Sequence, residues 1–61
     1  MIKYKVKIIY RDDTEEVFSC VDYPNFSLND FIAIYLTTTE RKYLIRESIK
    51  LVEVKEYWSS K

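Results

Sequence analysis

The sequence predicts a mainly β domain of five antiparallel strands, with a single brief turn before the last. Three observations carry this. Residues 2–10 alternate apolar and polar side chains, the period of a strand. Short polar loops separate such alternating runs, as in hairpins. The apolar stretch Phe31-Ile32-Ala33-Ile34-Tyr35-Leu36-Thr37 is rich in β-branched and aromatic residues, which favour strands.

In the first strand Ile2, Tyr4, Val6, Ile8 and Tyr10 share one face, and Lys3, Lys5, Lys7 and Ile9 the other. Arg11-Asp12-Asp13-Thr14 reads as a turn, because Asp tolerates the left-handed region and bonds its own backbone. A second strand is expected from about Glu15 to Tyr23. A two-residue loop on Asp12-Asp13 pairs Ile8 with Val17, and a three-residue loop pairs Ile8 with Phe18 and Val6 with Cys20. The second register is preferred because it buries the larger ring, worth about 1.5–3 kcal/mol. Pro24 cannot donate to a ladder, so residues 22–27 read as a loop.

The central stretch admits two conformations. As a helix over 28–36, Ser27 would cap it with Asp30 three positions on, and Leu28, Phe31, Ile32, Tyr35 and Leu36 would share one face. That helix would be short for a core element, and it would run into Thr37-Thr38-Thr39, whose branched side chains disfavour helix. As a strand, Ile32, Ile34 and Leu36 face one way and Phe31, Ala33, Tyr35 and Thr37 the other. The strand is the preferred reading, and an α+β fold with a helix at 28–36 is the alternative. After a connection at 38–40, Arg41 to Ile45 reads as a strand and Arg46-Glu47-Ser48 as one 3₁₀ turn. Residues 49–57 form the last strand, with Ile49, Val52 and Val54 inward and Lys50, Glu53 and Lys55 outward. This gives one domain over 1–57 and a C-terminal tail over 58–61.

A chain of 61 residues buries only about 60% of its unfolded surface, so its core is thin. Cys20 is the lone cysteine and histidine is absent, which rules out an internal disulfide and a zinc site built on histidine. Self-association into a homo-oligomer is the expected compensation. Ten basic and ten acidic residues cancel, so no global field collects nucleic acid. No apolar run approaches the roughly 18 residues of a membrane span, and the alternating start lacks a secretory h-region. With a single, reduced cysteine the expected compartment is the cytoplasm.

Catalysis is poorly supplied, and no enzyme activity or cofactor is expected. The commonest general base is missing, and Cys20 has no histidine to activate it. Glycine is absent, which excludes phosphate-cradling loops. Asp12, Asp13, Glu15 and Glu16 read as solvated turn carboxylates rather than a metal site. Lys3, Lys5 and Lys7 project from one strand face about 6.6–7 Å apart. That ladder could track a phosphate backbone while Tyr35 or Tyr43 stacks bases. Arg41, Lys42, Arg46 and Lys50 form a second basic group. The six tyrosines and the C-terminal aromatics point instead to protein contact, because aromatic anchors dominate interface energy. The interface residues expected on this ground are Phe31, Tyr35, Tyr43, Tyr57 and Trp58.

The run Tyr43-Leu44-Ile45-Arg46-Glu47-Ser48-Ile49-Lys50-Leu51-Val52-Glu53-Val54 resembles the ending of the small SH3-like barrels: apolar strand, one-turn helix, alternating strand. With the opening hairpin, the resemblance covers most of the chain and implies a closed five-stranded barrel. The Sm-like RNA binders share this plan, but their glycine-bearing loop signatures have no counterpart here, so RNA binding is not carried over. The whole also resembles short proteins encoded by phages and prophages of Gram-positive bacteria. That resemblance implies an inhibitor that occupies a bacterial host or defence protein. Single-stranded nucleic-acid binding along Lys3, Lys5 and Lys7 is the alternative.

Overall fold

In the computed structural model, which describes residues 1–60, all five expected strands form. β1 (Ile2–Tyr10) and β2 (Glu15–Cys20) make an antiparallel hairpin, and β1 pairs on its other side with β5 (Ile49–Trp58). β3 (Phe31–Tyr35) and β4 (Arg41–Ile45) make a second antiparallel sheet. A 3₁₀ turn, Arg46–Ser48, joins β4 to β5.

The hairpin turn is Arg11-Asp12-Asp13, closed by Tyr10 N–H donating to Thr14 O (2.9 Å) and Asp13 N–H donating to Tyr10 O (2.9 Å). Without glycine, the residue that must be left-handed is Asp13, at φ 69°. Asp12 supports it by accepting from Thr14 N–H (3.0 Å) and Thr14 Oγ1 (2.5 Å). The register differs from the expected one: Val6 faces Phe18 and Tyr4 faces Cys20, while Ile8 faces Glu16. A loop of three residues brings Tyr10 opposite Thr14, and this sets every later pair. Phe18 still lies on the core side, as expected, because the displacement is an even number of residues.

The core is Val6 and Ile8 of β1, Cys20 of β2, Ile32 and Ile34 of β3, Leu44 of β4 and Ile49 of β5. Ile49 and Val52 both reach it although three residues apart. A bulge makes this work: Ile9 pairs with Leu51 but Tyr10 with Ile49, so Lys50 is the extra residue. β5 runs through Trp58, which pairs with Ile2, one residue past its expected end. Of the expected tail, Lys61 lies outside the described residues.

The central stretch is a strand over Phe31–Tyr35, and the helix over 28–36 does not form. Ser27, its would-be cap, is spent elsewhere, since its N–H and hydroxyl both donate to Asn25 Oδ1 (2.9 and 2.6 Å). The strand stops before Thr37 because Thr37 Oγ1 takes the Glu40 N–H (2.9 Å) and turns the chain.

The closed barrel does not form either. The strands divide into sheets of order β2-β1-β5 and β3-β4. β2 would have to run on beside β3, but it ends at Cys20, short of the expected Tyr23. Asp22 there caps Tyr23 N–H (2.8 Å), and Pro24 has no N–H to give. What bridges the sheets is Val21 N–H to Tyr35 O (3.0 Å) and a two-way bond between Asn25 and Ala33 (3.0 and 3.1 Å). Residues 21–30 thus form a cover. Pro24 is buried, Phe26 packs on the core, and Tyr23 bridges Tyr4 and Phe26 edge-to-face. Arg46 fastens the cover by donating to the carbonyls of Phe26 and Leu28.

Candidate functional site

Because Ile32, Ile34 and Leu44 turn inward, strand alternation sends Phe31, Ala33 and Tyr35 of β3 and Arg41, Tyr43 and Ile45 of β4 outward. The cross-strand pairs on this face are Phe31 with Ile45, Ala33 with Tyr43, and Tyr35 with Arg41. Ala33, the small residue between Phe31 and Tyr35, is itself buried. Phe31, Tyr43 and Ile45 remain 44%, 55% and 57% exposed and form one apolar patch. Phe31 and Tyr43 also line an open depression with Leu28, Asn29 and Asp30. Beside the patch, Arg41 lies over the half-buried Tyr35 ring at 5.4 Å, a cation–π contact that fixes both.

The structure thus brings together three of the five expected interface residues, Phe31, Tyr35 and Tyr43. It does not bring the other two to them. Tyr57, half-buried, pairs with Lys3 on the outer face of the other sheet, and Trp58, 74% exposed, sits at the far end of β5 beside Ile2. Ile45 was missed by the sequence reading. The period of two that places Tyr43 outward places Ile45 outward as well.

No family model, no curated protein and no solved structure matches this chain.

Lys3, Lys5 and Lys7 do share the outer face of β1, but Lys7 is held between Glu15 (3.2 Å) and Glu53 (4.0 Å). Tyr35 and Tyr43, expected to stack bases near these lysines, lie on the outer face of the opposite sheet. The aromatic ring that neighbours the ladder is Tyr57. The second basic group is engaged throughout. Besides Arg41 on Tyr35, Lys42 reaches Glu16 (3.9 Å) and the Phe18 ring (5.1 Å), Arg46 binds the cover, and Lys50 pairs with Asp13 (3.0 Å).

The four acidic residues of the hairpin each have a different partner, and among the described residues they do not converge on a metal-binding group. Asp12 is held below the usual carboxylate range by the Thr14 hydrogen bonds. Glu16 accepts from the Tyr10 hydroxyl at 2.5 Å. Burial first, and then this bond, push the Tyr10 phenol up to about 12. Cys20 is buried in the core, and desolvation raises its thiol, the opposite of what a nucleophile requires. Among the described residues no helix is long and apolar enough to cross a membrane.

Proposed function

We propose that this chain is a non-catalytic protein-binding module that docks its partner on the outer face of β3 and β4. The observation that supports this reading is the grouping of Phe31, Tyr43 and Ile45 in the open, with Leu28 at the rim of the depression beside them. Contiguous apolar patches on small proteins mark contact surfaces, and rigid aromatic rings supply most of the energy there. The likeness to phage-encoded proteins suggests the class of partner: a bacterial host or defence protein whose working surface is occupied. Tyr57 and Trp58 belong to a different part of the surface.

The competing reading is single-stranded nucleic acid along Lys3, Lys5 and Lys7. Neutralisation of Lys7 by two glutamates and the zero net charge favour the protein reading. The experiment is capture from a lysate of Gram-positive bacteria, with wild type and a F31A/Y43A variant side by side. Both side chains are exposed, so the variant keeps its fold, which circular dichroism checks. Capture by wild type is expected to weaken by about thirtyfold or more in the variant, the loss of at least one hot-spot residue. Y57A/W58A should capture as wild type does. Undiminished capture by F31A/Y43A overturns the choice of face, and an affinity that collapses with added salt turns the reading toward phosphate contacts.

A further inference from the structure

We propose that two copies of this chain pair along the outer edge of β5, antiparallel about a two-fold axis at Val54, to form one continuous six-stranded sheet. β5 is the longest strand of the fold, Ile49–Trp58, and hydrogen-bonds to a neighbour on its β1 side alone. Beyond the Lys50 bulge its pairing with β1 is regular, so from Leu51 to Trp58 the opposite edge is a straight row of unpaired N–H and C=O groups.

The side chains of this edge carry the second observation. Lys55 stands directly across from Lys5, a like-charge pair that destabilises a ladder. Neither lysine has an acidic partner among the described residues. Two-fold pairing of identical edges lets a residue face only one an even number of positions away, so few registers exist. Centring on Glu53 or Lys55 sets two like charges on the axis. Centring on Val52 sets Leu51 against Glu53. Centring on Val54 sets Lys55 of each copy opposite Glu53 of the other, and Leu51 of each opposite Tyr57 of the other. The outward charges of the regular stretch, Glu53 and Lys55, then each meet their opposite, and the exposed Leu51 is covered by a ring. This surface is separate from the β3–β4 face, so the inference does not rest on the proposed function.

The test uses two charge variants. In E53K both outward positions become lysine, and in K55E both become glutamate. Multi-angle light scattering over a concentration series should show wild type as a dimer. Each variant alone should dimerise about tenfold more weakly or worse, as two cross-strand pairs change from attractive to repulsive. An equimolar mixture of the two should recover the dimer, because each lysine of one then faces a glutamate of the other. Misfolding of either variant cannot mimic this, since mixing does not repair a fold. A strictly monomeric wild type, a mixture no more dimeric than its components, or assemblies that grow beyond two copies would each overturn the proposal. Capture through the β3–β4 face should be unchanged in E53K and K55E, so the two readings fail separately.

Discussion

Replacing Ile34 with alanine is expected to leave much of the chain unfolded in native buffer. The Ile34 side chain is fully buried at the centre of β3 and packs in the one cluster that joins both sheets. Truncating a buried isoleucine costs about 2–5 kcal/mol. At about 0.05–0.15 kcal/mol per residue, the whole chain holds only about 3–9 kcal/mol. No disulfide supplements this, since Cys20 is free. Urea titration followed by circular dichroism checks the expectation. Ile34→Val should cost only about 0.5–1.5 kcal/mol. Ile45→Ala, one residue type removed from the outer face, should stay within about 0.5 kcal/mol of wild type. Equal losses for Ile34→Ala and Ile45→Ala would mean that β3–β4 does not have the inner and outer faces described.

The second large effect is expected at Ala33→Glu. Ala33 points away from the core and still is only 1% exposed: Asn25 bonds its backbone in both directions along the strand edge, and Phe31, Tyr35 and Tyr43 are its neighbours on that face. A glutamate there must either sit buried without a partner or part residues 21–30 from the edge of β3. Leaving a charge buried and unpaired costs about 3–5 kcal/mol, so detachment of the cover sets the ceiling on the damage. Amide exchange should therefore accelerate most at Asn25 and Ala33, ahead of the β1–β5 ladder. Ala33→Ser should show little of this. Unchanged exchange at Asn25 in Ala33→Glu would contradict the seating of the loop alongside Ala33.

These two positions also show where the sequence speaks and where it is silent. Ile34 is legible: alternation with Ile32 and a run of β-branched neighbours mark it as a core strand residue, and β1, β4 and the Arg46–Ser48 turn follow from equally local patterns. The bridge from Asn25 to Ala33 is not legible, because it depends on a loop eight residues upstream folding back alongside β3. Closure of the sheet is non-local in the same way. Each strand pattern suits a barrel, yet Asp22 and Pro24 interrupt β2 where the ladder to β3 would continue. The hairpin register turns on whether the three-residue loop begins at Arg11 or at Asp12, a choice that apolar spacing leaves open and that moves every pair by two positions.

The candidate surface was partly readable for the same reason. Exposure of Phe31 and Tyr43 follows from strand parity once β3 is a strand. Their separation from Tyr57 and Trp58 follows from which sheet each strand joins, and no local pattern encodes that. Neutralisation of Lys7 belongs to this second kind, since Glu15 and Glu53 reach it from strands on either side.

Display of Phe31 and Tyr43 on one outer face requires residues 31–35 to lie extended against 41–45. Proton NMR of the free chain tests this most directly. Short cross-strand Hα–Hα contacts are predicted at alternate members of the series Phe31–Ile45, Ile32–Leu44, Ala33–Tyr43, Ile34–Lys42 and Tyr35–Arg41. Contacts between residues three or four apart within 28–36, with none across to 41–45, would mean a coiled segment and would remove the surface.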